Sequence, residues 1–339
     1  MSDDAGLDLL ALERFFIDHV PGFRDRLTAR LLEGGRSNLT YRLTDGHSTW
    51  VLRRPPLGGL TPSAHDMYRE YRVVSALADT DVPVARAVAY ADDDVLGVPF
   101  SVVRYVDGPV LRSQEQLHTL PAADIRRCAF GLVDVLARLH TVDPAHVGLG
   151  DFGRPEGYLR RQVRRWNDQW QRVRTRQLDD VDALHARLAD TCPAEAGAAI
   201  VHGDFRIDNA ILDPDDIGVV RALVDWEMAT VGDPLADLGL HLVYADPVFE
   251  PVLAGSAAST SPRLPSTDEL AQRYAETTGR DLSGLAFYVA LGYFKIAVIA
   301  EGIHARYTAG LTRGSGFDTV GDAVPPLVAN GLRALATNS

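Results

Sequence analysis

Cysteine, lysine and uninterrupted apolar runs are all scarce in this chain, and each scarcity excludes something. Of 339 residues only Cys128 and Cys192 are cysteines. Two cannot make a disulfide framework or a zinc cluster, and both suit ordinary packing in a reducing compartment. Lysine occurs once, at Lys295, so arginine supplies 33 of the 34 basic residues; that bias alone assigns no function. The first residues, MSDDAGLD, carry acids where a secretory leader needs positive charge. No early apolar run follows, and the expectation is a cytoplasmic protein without a signal peptide. The most apolar late stretch, 285–300, is broken by Lys295 and reads as a buried helix too short to span a bilayer. There is no internal repeat, and only 254–266 is biased in composition, toward Ser, Ala and Pro.

What is present is a globular composition, 46% hydrophobic and 24% charged, in a chain long enough for two cores. A net charge of −12 argues against nucleic acid or a membrane surface as partner. Oligomeric state leaves no mark in the sequence.

The stretch 201–237, VHGDFRIDNAILDPDDIGVVRALVDWEMATVGDPLAD, organises the rest. An apolar pair, Ile200 and Val201, gives way to His202, Asp204, Arg206, Asp208 and Asn209 within eight positions. A short apolar run follows at 210–212, then a turn at 213–218, then a second apolar strand at 219–224 ending on Asp225. Turn propensity accounts for the acids at 213–216. It does not account for His, Asp, Arg, Asp and Asn crowded between two apolar strands.

Asp204, four intervening residues, Asn209, a strand and then Asp225 is the spacing of a kinase active site. There an aspartate orients or deprotonates the attacking hydroxyl, and an Asn and a later Asp hold magnesium. Phosphoryl transfer asks for positioning and for positive charge on the phosphate oxygens. Magnesium takes hard oxygen ligands and keeps several waters, so one carboxylate and one amide suffice. Arg206, two residues after Asp204, is placed to neutralise charge on the transferred group.

HGDFRIDN followed by VDWE and GDPLADLG resembles the aminoglycoside phosphotransferase and choline kinase-like family of small-molecule kinases. The resemblance runs from about residue 34 to 310. Within the family, GYLRRQVRRW and FYVALGYFKIAVIAEGIHARYTAG resemble the kinase-like domains fused to some acyl-CoA dehydrogenases. It implies an α+β, bilobal protein-kinase-like fold: a small antiparallel β-sheet N-lobe at 1–106 and a mostly helical C-lobe at 107–339. It also implies ATP as co-substrate, Mg²⁺ held by Asn209 and Asp225, and Asp204 and Arg206 as catalytic residues.

Along the chain, 7–20 has helical spacing, and 31–43 suggests a strand, a Gly-containing turn and a return strand. The turn lacks a G-x-G-x-x-G; the resemblance points to Ser37, Asn38 and Thr40 over the nucleotide. In strand 49–53, TWVLR, alternation sets Trp50 and Leu52 on one face and Val51 and Arg53 on the other. Arg53 stands where protein kinases carry a phosphate-contacting lysine, and Glu70, on a helix over 63–77, is its implied ion-pair partner. Residues 82–90 and a strand pair over 95–106 lead to the implied hinge, where adenine would meet backbone groups of Arg104 to Val106. Helix 123–140 reads as a scaffold, with His140 structural. Asp233 and Pro234 read as an N-cap and first helical position, and Asp237 as a brace for the catalytic loop.

Helix 158–170 puts Leu159, Val163, Trp166 and Trp170 on one face, flanked by arginines. A core stripe with a charged outer face explains most of it. One or two of the flanking Arg160, Arg161, Arg164 and Arg165, with Arg160 and Arg164 as the candidates, could also wall an anionic substrate's pocket. Glu227, Trp166, Tyr244 and His304 complete the candidate substrate residues. The leading expectation is an ATP- and Mg-dependent phosphotransferase acting on a small-molecule hydroxyl, with an anionic metabolite such as a hydroxyacyl thioester as one candidate acceptor. The alternatives are an aminoglycoside 3′-type phosphotransferase, a metal-dependent phosphohydrolase built on His202, Asp204, Asp225 and Glu227, and a catalytically silent nucleotide- or acyl-CoA-binding module.

Overall fold

The computed structural model describes residues 6–32, 38–56, 66–253, 257–312 and 316–336. The chain divides into two compact units, Met1–Gly108 with Arg221–Ala229, and Pro109–Val220 with Thr230–Ser339.

The first unit is built on a five-stranded antiparallel sheet. Helix α1 (Leu9–His19) starts where the Asp8 side chain accepts a hydrogen bond from Ala11 N at 3.0 Å, and it buries Leu12, Phe15 and Phe16. Strands β1 (Thr28–Leu31), β2 (Leu39–Thr44) and β3 (Thr49–Arg54) precede helix α2 (Met67–Leu77). Strand β4 (Ala87–Ala91), helix α3 (Asp93–Leu96) and strand β5 (Phe100–Arg104) follow, and the sheet order is β1-β2-β3-β5-β4. Trp50 and Leu52 on β3 sink into a core with Tyr41, Leu43, Phe100, Val102 and the α1 phenylalanines. Strict alternation therefore turns Arg53 to the opposite face, where it meets Glu70 of α2.

The expected strand pair over 95–106 is corrected. Residues 93–96 form a short helix, because Asp93 and Asp94 favour a helix N-terminus and Gly97 closes it in the left-handed region at φ 70°. The strands lie either side of it. Residues 33–37 and 63–65, parts of the expected glycine turn and of the α2 entry, lie outside the described residues. Residues 221–229 join this unit: Leu223 N donates to Pro83 O at 2.8 Å, and Arg69 donates to Ala229 O at 3.2 Å.

The second unit is mostly helical. It contains α4 (Gln114–His118), α5 (Ala122–Thr141), α6 (Tyr158–Val173) and α7 (Asp179–Asp190), then strands β6 (Ala199–Val201) and β7 (Ala210–Leu212). Strand β8 (Val220–Leu223) carries the chain into the first unit, and β9 (Thr230–Gly232) returns it. Helices α8 (Pro234–Val243), α9 (Glu250–Leu253), α10 (Thr267–Thr278), α11 (Leu285–Thr308) and α12 (Val324–Ala336) complete it. Strand β6 pairs antiparallel with β9, Ala199 opposite Gly232. A Cβ at Gly232 would lie 2.6 Å from the Tyr158 ring, so only glycine lets the β6–β9 pair meet α6 this closely.

Helix α11 is the axis of this unit, packed on α6, α7, α8 and α12. It runs 24 residues, which corrects the expectation that the apolar stretch is too short to span a bilayer. Among the described residues it is the one helix long and apolar enough to do so. Two thirds of its most apolar window is buried inside the protein, the position of a core helix. Its contact with α8 passes through Gly239, where a Cβ would stand 2.6 Å from the Tyr288 backbone.

Candidate active site

In the second unit, β6 delivers the chain to a loop held on both sides. His202 is fully buried, and Gly203 adopts φ 81°, a left-handed conformation open to glycine. Asp237, one turn into α8, accepts from His202 N at 2.5 Å and from Gly203 N at 2.7 Å. His140 backs it from α5, with Nε2 at 3.4 Å, and Nδ1 of that ring pairs with the Tyr274 hydroxyl at 2.7 Å. Burial opposes charge on Asp237, but the His140 bond and the loop amides outweigh it and hold the carboxyl below its ordinary range. The expected brace and the structural role of His140 are thus one network.

Asp204 is the hub of the loop. One carboxylate oxygen accepts from the Tyr244 hydroxyl and lies 3.3 Å from Arg206 Nε. The other accepts from Asn209 Nδ2 at 3.1 Å, and the same amide donates to the Asp204 carbonyl at 2.9 Å. Burial pushes the Asp204 carboxyl up, while Arg206, the Tyr244 hydroxyl and Lys295 pull it further down, so it stays ionised below the ordinary aspartate value. The proton stays on Tyr244, whose acidity burial and the Asp204 charge suppress. Arg206 reaches Asp208 at 3.2 Å and lies over the Tyr244 ring at 5.3 Å. Lys295, from α11, donates to the Gly203 carbonyl at 2.7 Å and sits over the Trp166 ring at 5.6 Å.

In the first unit, Arg53 bridges two carboxylates, Glu70 at 3.2 Å and Asp225 at 2.9 Å. Asn38 Nδ2 donates to Glu70 at 3.2 Å and to Glu227 at 3.4 Å. Three carboxylates thus share one guanidinium and one amide. Burial, with Asp225 and Glu227 nearby, overcomes the pull of Arg53 and pushes Glu70 up to about 7. Asp225 takes φ 67°, alone in the left-handed region among the described non-glycine residues. Backbone strain of that kind persists where the surroundings enforce it, commonly at working sites.

The structure brings Asp204, Arg206, Asn209, Tyr244 and Trp166 into one neighbourhood, and Asn38, Arg53, Glu70, Asp225 and Glu227 into another. Thr40 lies opposite Arg53 in the β2–β3 register and its carbonyl accepts from Leu32 N. Ser37 lies outside the described residues. The Arg104 side chain lies over Trp50 and donates to Pro21 O at 3.2 Å, so at the expected hinge it is spent on the sheet's own packing. Val106 is half-buried just beyond β5. Arg160 and Arg164 are exposed, and the charge of Arg160 acts on Cys192. The α6 arginine whose charge reaches Lys295 is Arg165, which also lies over Trp166 at 5.7 Å. His304 packs against Gly321, where a Cβ would be 2.5 Å from its Nδ1. Tyr244, expected as a substrate contact, is engaged with Asp204. The sequence marks Lys295 as a lone lysine interrupting an apolar helix and Arg165 as one of four arginines flanking the α6 face, but singles out neither for the loop.

A family model described as the phosphotransferase enzyme family matches residues 28–286. The chain belongs to that family. The family's chemistry is kinase-type transfer, and the expected α+β, protein-kinase-like fold class holds. A putative aminoglycoside phosphotransferase from Ralstonia eutropha JMP134 superposes with a TM-score of 0.84 at 32% identity, covering 97% of this chain and 98% of that one. Acyl-CoA dehydrogenase family member 11 from Rattus norvegicus is 34% identical over 96% of this chain, and that from Gallus gallus 35% over 95%. The chain spans 43% of the length of each. A thermostable mutant of the phosphotransferase APH(4)-Ia, in a ternary complex with AMP-PNP and hygromycin B, shares the fold at a TM-score of 0.62 and 16% identity.

Proposed function

We propose that this phosphotransferase moves the γ-phosphoryl group of ATP to a hydroxyl of a small molecule, with Mg²⁺ required. The observation that carries this reading is the presentation of Asp204. Its two oxygens are fixed by Tyr244, Arg206 and Asn209, and its charge persists under burial. An ionised, immobilised carboxylate accepts a hydrogen bond from an acceptor hydroxyl and aligns that oxygen for attack on phosphorus. As the new O–P bond forms, the bond to the β-phosphate oxygen breaks and ADP leaves. Because Asp204 is a weak base, it orients the hydroxyl first and takes its proton only as transfer proceeds. Arg53 supplies positive charge to phosphate oxygens, with Glu70 fixing its fork. Arg206 supplies charge beside Asp204.

Magnesium suits the donors present. The first-unit cluster has more carboxylate than cation, and a third of the Asp225 side chain is exposed. Asp225 and Asn209 would hold the ion, which when bound neutralises charge on the triphosphate.

For the acceptor we favour an anionic metabolite such as a hydroxyacyl thioester. Lys295 and Arg206 set positive charge against Asp204, Arg165 acts on Lys295, and the dehydrogenase-named relatives match over nearly the whole chain. An aminoglycoside, named for the Ralstonia neighbour, is the second reading; as a polycation it would meet those three cations. The reading is tested by Asp204→Ala, expected to cut transfer by roughly a thousandfold or more while Mg-ATP still binds. Wild-type turnover in that variant would reject it.

A further inference from the structure

Lys295 is the only lysine in the chain, and it lies in a helix that is otherwise almost wholly apolar along its buried face. A cation in such a place is costly unless something specific holds it. Three things do. Its ammonium donates to the Gly203 carbonyl at 2.7 Å, the Trp166 ring lies beneath it at 5.6 Å, and the Asp204 and Asp237 carboxylates favour its charge. The Gly203 carbonyl belongs to the peptide that leads directly into Asp204. The amide on the other side of Gly203 is held by Asp237 from α8. Two helices thus grip the two polar ends of one glycine, the residue whose φ of 81° sets the direction in which Asp204 leaves.

We propose that Lys295 is a positioning residue for phosphoryl transfer: from α11 it fixes the Gly203 carbonyl and so the presentation of Asp204. The inference rests on the phosphotransferase reading for its kinetic consequence, but its structural half stands apart. A compact ammonium suits the position better than a guanidinium, since one carbonyl and one ring face ask for a point charge and not for a planar fork. That explains lysine here in a chain that otherwise uses arginine.

The test compares Lys295→Met and Lys295→Arg with the wild-type chain. Lys295→Met should lower kcat by about a hundredfold while KM for ATP stays within about threefold, because the first-unit residues are untouched. Lys295→Arg should recover about tenfold of the loss, the charge and a donor being restored. Hydrogen exchange over residues 202–205 should rise in Lys295→Met and return toward wild type in Lys295→Arg. A purely structural lysine would lower Tm and leave kcat per folded molecule unchanged. Unchanged exchange at 202–205 in Lys295→Met overturns the positioning role whatever the activity. Raised exchange with kcat within threefold of wild type overturns its link to transfer. Wild-type protein with no transfer at all would reject the phosphotransferase reading, and the exchange result would still decide whether Lys295 holds the loop.

Discussion

At the scale of single residues, two carboxylates of the candidate site are perturbed in opposite directions. Asp204 is held below the ordinary aspartate value by Arg206, Tyr244 and Lys295 against its burial. Such a group contributes stability that is present above the ordinary value, about 3.9, and is lost as pH falls through the lowered one. Glu70 is the reverse: raised by burial to about 7, it contributes stability at low pH that is lost as pH rises through that value. The kinetic consequences separate. Asp204 should place no inflection in kcat between about pH 5 and 8. Glu70 should place one near 7 in kcat/KM for ATP, falling on the acid side as its pair with Arg53 is neutralised, and Glu70→Gln should remove it. A profile measured in both variables checks this. An inflection in kcat above pH 5 that disappears in Asp204→Asn would contradict the assignment.

At the scale of elements, the site depends on close approaches that only glycine allows. Gly239 lets α8 meet α11 at the Tyr288 backbone, which sets Asp237 and Lys295, on those two helices, against the same loop. Gly239→Ala is expected to destabilise by about 1–3 kcal/mol through overpacking. Denaturant unfolding reads that directly, and a variant as stable as wild type would show that the helices can separate without cost. Much at this scale was legible in the sequence. The alternation of TWVLR turned Arg53 away from the core, the apolar residues Ile125, Phe130, Leu132, Val133, Leu136 and Leu139 marked α5, and Asp233 with Pro234 opened α8. The misreadings share a physical origin. The 93–96 helix is a local competition between three aspartates and a β-favouring valine, decided by Gly97. The α6 arginines could be placed on a helix face by periodicity, but which of them acts on Lys295 depends on how α6 packs against α11. Periodicity holds no information about that neighbour, so spacing alone cannot separate Arg165 from Arg160 and Arg164. Tyr244 was legible as a residue near the site but not as a donor to Asp204, because that bond joins α8 to a loop 40 residues away.

For the whole molecule, the proposed phosphoryl transfer draws on residues of both units. In that proposal the first supplies Arg53, Glu70 and Asn38 for a nucleotide and Asp225 for its cation. The second supplies Asp204 and Arg206 for an acceptor hydroxyl and Asn209 for the cation, with Lys295 and Asp237 holding the Asp204 loop. Phosphorus NMR on the full chain with Mg-ATP and a panel of hydroxyacyl-CoAs, aminoglycosides, choline, homoserine and sugars tests this most directly. The expected result is a new phosphomonoester resonance growing in step with ADP for at least one acceptor, strongest among the anionic ones, and absent in Asp204→Ala. Release of inorganic phosphate with no phosphomonoester, or a phosphomonoester that forms equally well without the Asp204 carboxylate, would contradict it.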